Sequence, residues 1–211
     1  MEITAAAVKE LRQRTSVGIM DCKAALKEAG GDIDEAIKVL RTMGKAKAAK
    51  RAGRVASEGR IESYVHMGGK IAVILELNCE TDFVARNEDF VQLGRDLAMH
   101  VAAANPTCVS RDDVDAAMLE SEKQLYRQQA IAEGKPEQIV EKIVEGKVKR
   151  YYSDVCLLEQ GFVKDPDHKV GDMITDAIAK IGENIVVRRF ARLAIGEPEA
   201  TLAVASPANK E

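Results

Sequence analysis

Glu76-Leu77-Asn78-Cys79-Glu80-Thr81-Asp82-Phe83-Val84-Ala85-Arg86-Asn87 is the stretch that decides the fold of this 211-residue chain. It closes the apolar run that starts at Ile71 and ends at Leu77, which reads as a strand buried on both faces. The chain then turns polar at once and sets Phe83 directly behind two candidate helix caps, Thr81 and Asp82. Asn87, followed by Glu88 and Asp89, reads as the start of a longer helix with an acidic first turn, as the helix dipole prefers. Phe83 is therefore expected on a tight corner between a strand and a helix. Such a corner serves equally as an anchor for the core or as a probe held out to a partner.

Upstream, the pattern has period two. Ile61, Ser63 and Val65 alternate with Glu62, Tyr64 and His66, and Gly68-Gly69 turns the chain into the Ile71 run, a hairpin signature. Before that lies a basic stretch, Arg41, Lys45, Lys47, Lys50, Arg51 and Arg54, with no acid until Glu58. It reads either as a patch for RNA or an acidic partner, or as a solvated, Ala-rich helical linker. The first forty-odd residues predict three short helices. Thr4 caps the first, the second follows Gly18, and Asp32 with Glu35 resembles a capping box opening the third. Their apolar stripes suffice to close a small bundle of the size of a docking module.

Downstream, Phe90, Leu93, Leu97 and Val101 share one helical face, which ends before Asn105-Pro106. Residues from about Arg111 to Gln160 read as helical, broken at Gly134-Lys135-Pro136. The second half carries a stripe of Val140, Val144, Val148, Tyr151, Val155 and Leu158, read as core packing or a partner surface. Val170, Met173, Ile174, Ala177, Ile178 and Ile181 mark a further helix stopped by Gly182. Ile185 to Ile195 then predicts a strand. Strict alternation gives it one oily face (Ile185, Val187, Ala191, Leu193, Ile195) and one with Val186, Arg188, Phe190 and Arg192. Arg188, Phe190 and Arg192 are accordingly expected at a subunit or partner contact. The residues from Glu197 onward read as a disordered tail.

The fold class is thus α+β. Residues 1–43 form a helical docking domain, 44–56 a basic helical linker, 57–196 a core of about three antiparallel strands packed with helices, and 197–211 the tail. A net charge of −3 gives no global field towards nucleic acid or membrane, and 4% aromatic residues argue against a stacking surface for single strands. Cys22, Cys79, Cys108 and Cys156 include no C-x-x-C pair and no neighbouring His, so reduced thiols in a cytoplasmic protein are expected, with no metal site and no cofactor. No phosphate cradle, nucleophile elbow or nucleophilic pair occurs. The pattern is that of a binder.

Two stretches resemble signature motifs of the elongation factor Ts family. One is Leu11-Arg12-x-Arg14-Thr15-x-x-Gly18-x-Met20-Asp21-Cys22-Lys23-x-Ala25-Leu26; the other is Glu76 to Asn87. A third match is Lys180-Ile181-Gly182-Glu183-Asn184-Ile185 followed by Arg188-Arg189. Ser16 departs from the family, which usually has Gly there. The resemblance implies a guanine nucleotide exchange factor for elongation factor Tu, with a ubiquitin-associated-like three-helix domain, a helical linker and an α+β core. Long members carry two copies of the core subdomain and a coiled-coil excursion; the length of this chain predicts the short form, without the excursion, completed by forming a homodimer and a 2:2 complex. The resemblance further implies that Asp82 and Phe83, flanked by Thr81 and Val84, enter the partner's GTPase domain near its Mg²⁺ site. Ile181-Gly182 would lie beside the phosphate-binding loop. His66 would serve only from a second protomer, and Arg12, Met20 and Lys23 would dock the bundle on a GTPase-domain helix. The different-class alternative is an RNA- or ribosome-binding module using residues 41–54.

Overall fold

The hairpin forms as the period-two pattern requires. In a computed structural model, which describes residues 3–197 and 199–206, β1 (Glu58–Val65) and β2 (Ile71–Cys79) pair antiparallel, with Ser63 opposite Ile74. The corner follows β2 directly as a four-residue helix, α4 (Asp82–Ala85), and then α5 (Glu88–Ala104). Ahead of the hairpin stand α1 (Ala5–Thr15), α2 (Ile19–Glu28) and α3 (Ile33–Arg51). Behind it come α6 (Ala116–Ala132), α7 (Glu137–Val155), β3 (Gly161–Phe162), β4 (Asp165–Lys169), α8 (Val170–Ile181), β5 (Val186–Ala194) and β6 (Thr201–Val204). The main sheet has the order β1-β2-β5-β6, antiparallel throughout, and β3 with β4 forms a separate ribbon.

The helix starts follow from their caps. The Thr4 hydroxyl accepts from Ala7 N (3.2 Å), Asp32 from Glu35 N (2.8 Å) and Asn87 from Asp89 N (2.8 Å), each filling one of the donors that a helix start leaves open. The inner face of the sheet, Val73, Leu75, Leu77, Val187 and Phe190, packs with Phe90, Leu93, Leu97 and Val101 of α5 and with Ile174 and Ile178 of α8. Each fully buried Leu or Phe here contributes about 1.5–3 kcal/mol relative to exposure. Close approach is built in by a glycine: a Cβ on Gly94 of α5 would lie 2.6 Å from Glu62 Cγ, so a larger residue there would force the helix and the edge strand apart or displace Glu62. The bundle closes on Leu11, Cys22, Leu26 and Leu40.

Several expectations are corrected. The β2 run is buried on one face only: Val73, Leu75 and Leu77 are covered, while Ile74 is 55% exposed on the outer face. Strict alternation fails in β5, because the ladder with β2 carries a bulge where Glu76 opposes Arg189 and Leu77 opposes Val187. The extra residue, Arg188, returns Phe190 and Arg192 to the same inner face as Val187. Phe190 is 1% exposed and in the core. Arg192 is 6% exposed, its Nε donating to Ala102 O (3.3 Å) and its Nη1 to both oxygens of Glu197 (2.7 Å). Arg188 donates to Ala205 O. The contact expected from Arg188, Phe190 and Arg192 is therefore spent within the protomer.

The tail is also not wholly without structure: Thr201–Val204 adds a fourth strand, pairing Leu202 with Ala191 and Val204 with Arg189, and Ala203 joins the core. Residues 198 and 207–211 of that tail, and residues 1 and 2 of the docking domain, lie outside the described residues. Finally, a helical excursion is present. α6 and α7 form an antiparallel hairpin with its own small core of Ala130, Val140 and Val144, which absorbs the valine stripe. The boundary expected at residue 43 falls inside α3, which runs unbroken from the bundle through most of the linker.

His100, buried on α5, is locked in one tautomer. Gln160 Nε2 donates to Asp154 O, so its oxygen faces His100 Nε2 (2.9 Å) and receives that proton; His100 Nδ1 then accepts from Val163 N (3.2 Å). Burial holds its pKa below the usual imidazole value. The unfolded chain therefore binds a proton more readily than the folded one, and stability is lost as pH falls through the unfolded value. The stability advantage of the wild type over His100→Gln, read from urea midpoints, should narrow by up to about 1.4 kcal/mol per pH unit below pH ~6.5.

Candidate functional site

The corner after β2 is made by short-range chemistry. β2 ends at Cys79, whose Sγ donates to Thr81 O (3.2 Å); burial, reinforced by the charge of Glu183, pushes the thiol pKa up to about 11, so the donor proton stays on. Thr81, in extended conformation, caps α4 by accepting from Val84 N (3.4 Å). One turn later Arg60 Nη1, from β1, donates to Ala85 O (3.4 Å). Between these fastenings Phe83 is 81% exposed, in a chain with only four phenylalanines. Asp82 sits beside it, paired to Arg86 across one turn (2.9 Å), and Val84 is half-buried against the core beneath.

A second corner abuts the first. α8 ends with Gly182 in the left-handed conformation (φ 96°), donating to Ile178 O, a stop that glycine makes at little cost. Ile181 packs half-buried on the main core. Glu183 then reaches across to β2's end, accepting from Glu80 N (3.0 Å), Thr81 N (3.0 Å) and the Thr81 hydroxyl (2.6 Å). Glu80 returns the contact by accepting from Asn184 N (2.7 Å). Lys180 pairs with Asp89 at the start of α5 (2.7 Å), a further tie between the corners.

The bundle adjoins this edge, since Lys180 lines a surface hollow together with Lys9, Arg12, Gln13 and Ser16. Arg12 and Lys23 also rim an apolar hollow floored by Ile3, Val8 and Ile19. Met20 is exposed, not core. Asp82, Phe83, Ile181, Gly182, Arg12, Met20 and Lys23 are thus carried by neighbouring elements. His66 is not. It stands in the β1–β2 turn, hydrogen-bonded through Nδ1 to the Tyr64 hydroxyl (3.0 Å), at the far end of β2 from Phe83. Eight strand steps put about 27 Å between those two ends.

Four groups of the basic stretch are engaged within the chain. Lys45 pairs with Asp172, Lys47 with Asp21 and Arg54 with Glu80, while Arg51 donates to Ile178 O. That leaves much less positive charge for phosphates than the sequence suggests. Among the described residues no group of three or more His, Cys, Asp or Glu is placed to hold a metal ion, and no helix is long and apolar enough to cross a membrane. Sequence reasoning missed Glu80, Glu183 and Arg60 as parts of the site. Glu80 and Glu183 both stand inside the quoted motifs, but nothing local shows that residues 103 apart share a turn.

A solvent-exposed aromatic on a corner fastened at both ends defines a protein that works by binding another macromolecule. The family model described as Elongation factor TS matches residues 1–177. Elongation factor Ts of Alkaliphilus oremlandii is 57% identical over 197 residues, covering 93% of this chain and 91% of that protein. Those of Desulforamulus reducens (58%, covering 93% and 90%) and Fervidobacterium nodosum (59%, covering 93% and 100%) are similarly close. The chain belongs to the elongation factor Ts family. With that membership comes the general role of a guanine nucleotide exchange factor for elongation factor Tu in translation, without covalent catalysis of its own.

The backbone at Ser16 has a physical reading. Ser16 ends α1 in the left-handed conformation (φ 56°), where a Cβ is strained and glycine is not. Ser16→Gly should stabilise the protein by about 1 kcal/mol, seen as a higher thermal midpoint.

Proposed function

We propose that this protein releases GDP from elongation factor Tu by inserting Asp82 and Phe83 near the Mg²⁺ and phosphate site of the partner's GTPase domain. The observation that carries this reading is the 81% exposure of Phe83 on a corner fastened at both ends. An exposed phenylalanine gains apolar burial on docking, and a rigid one loses little conformational freedom in doing so. Thr81 holds the turn, Val84 seats it, and Ile181-Gly182 lies against the phosphate-binding loop. The N-terminal bundle, a ubiquitin-associated-like module of residues 1–43, docks on a GTPase-domain helix through Arg12, Met20 and Lys23. Residues 44–56 connect it to the core of residues 57–196. Exchange then follows from linkage: a factor that binds the nucleotide-free partner more tightly weakens nucleotide affinity by the same factor.

The protein acts in the cytoplasm as a homodimer, in a 2:2 complex, and the surface that supports this is the outer face of the sheet. Ile61 and Val65 of β1, Ile74 of β2, Leu193 of β5, and Leu202 and Val204 of β6 are all exposed there, Leu202 at 66%. Register puts them on one side: Ile61 opposes Glu76, Ile74 opposes Ala191, and Ala191 opposes Leu202. An antiparallel sheet that faces water on one side is ordinarily polar on that side, and exposed apolar side chains from all four strands, interrupted by the Glu76–Arg189 ion pair, mark an interface. A second copy presenting the same face across a two-fold axis covers it and brings a second His66 into the assembly.

Phe83→Ala should fold as the wild type and slow the GDP release it stimulates from elongation factor Tu by about tenfold or more, a loss of at least ~1.4 kcal/mol. Normal release by this variant would remove the wedge. In sedimentation at micromolar concentration the wild type should run as a dimer, with Ile74→Asp shifted to monomer. A monomeric wild type would exclude the sheet-face dimer.

A further inference from the structure

We propose that Glu183 is the positioning residue of the exchange site, fixing the direction in which Phe83 is presented by holding the cap of α4 from outside; this rests on the reading of Phe83 given above. α4 has four residues, too few for a helix to persist by its own hydrogen bonds. Its orientation must therefore be imposed by neighbours. Its C-terminal end is held by Arg60 Nη1 on Ala85 O, by Asn87 N on Val84 O and by Val84 and Ala85 packing on the core, which leaves its start to be set separately. At its N-terminal end one carboxylate takes three donors, Glu80 N, Thr81 N and the Thr81 hydroxyl, all at 3.0 Å or less. Hydrogen bonds to an ionised acceptor are the stronger and more directional kind.

The hydroxyl makes Glu183 more than a local brace. The Thr81 proton is committed to Glu183 Oε1, so the lone pairs of Oγ1 turn towards Val84 N, which Thr81 caps. The rotamer of the cap, and with it the first turn that carries Phe83, is set from Glu183. The reverse contact, Glu80 to Asn184 N, prevents Glu183 from swinging away with its own loop, and Asn184 Nδ2 is tied in turn to Arg54 O (2.8 Å). The two carboxylates thus weld the Phe83 corner to the Ile181-Gly182 corner, so that both meet the partner as one body. Glu183 itself touches nothing of the partner in this scheme.

The test measures GDP release from elongation factor Tu over a range of concentrations of the full chain. For Glu183→Ala the maximal stimulated rate should fall about tenfold while the half-saturating concentration changes little, because a misdirected side chain loses rate when docking elsewhere is intact. Glu183→Gln keeps one of the two accepting oxygens and sets an amide NH2 against the remaining donors, so its maximal rate should fall between those of Glu183→Ala and the wild type. Placed on Phe83→Ala, Glu183→Ala should cause no further loss, since the two act as one unit. A purely structural role would instead lower the thermal midpoint and add its loss in both backgrounds. A folded Glu183→Ala at full rate beside a slow Phe83→Ala would overturn the positioning role alone. Phe83→Ala at full rate would overturn the reading it rests on. Should Glu183→Ala fail to fold, Glu183→Gln decides: a reduced maximal rate at an unchanged half-saturating concentration supports the proposal and a full rate overturns it.

Discussion

β2 has to satisfy three demands at once. It must pair on both edges, bury Val73, Leu75 and Leu77 against α5 and α8, and end so that its last polar atoms are taken up. The first two are met by any alternating apolar strand. The third is met only because α8 stops at Gly182 and delivers Glu183 to the strand's end. Without that delivery, the amides of Glu80 and Thr81 would be left unpaired, and the four-residue helix would have no fixed starting point. The position of Phe83 is in this sense a property of α8 as much as of the strand that precedes it.

The helices were legible because their signals are local: a cap, a face and a stop fall within a few residues, as in Asn87, Phe90 to Val101 and Asn105. The corner was legible for the same reason. The fate of its aromatic was not, since periodicity cannot tell an exposed Phe83 from a buried Phe190. What failed was alternation carried through a bulge, because Arg188 looks like any strand residue until its partner strand is known. β6 escaped notice because a four-residue strand gains its stability from the edge it joins, not from its own composition. The α6–α7 hairpin was read as helix from end to end, yet whether two helices lie on the body or on each other is a question of tertiary packing.

The surface charges point the same way. A run of six basic residues looks like a nucleic-acid patch in one dimension, but Lys45, Lys47 and Arg51 use their donors to seat α3 against α8 and the bundle, and Arg54 pairs with Glu80 beyond the end of β2. At the point of closest contact α3 presents Gly44 to Ala179, so the backbones approach and those side chains reach their partners. Much of the linker's positive charge therefore sets the angle between bundle and core, which in turn fixes where Arg12 and Met20 stand relative to Phe83.

The α6–α7 hairpin shares little with the body beyond its neck, where Thr107 N and Cys108 N both donate to Val155 O and Leu157 N donates to Cys108 O. Helices of 17 and 19 residues reach roughly 25 Å from that neck. Their private core of small side chains is far smaller than the one under the sheet. Elements with few shared contacts open on their own, at a lower free energy than the whole molecule. The hairpin is thus a separate cooperative unit: its amides should exchange with solvent while those of β2 and α5 remain protected, and the exchange site keeps its shape whether the arm is folded or frayed.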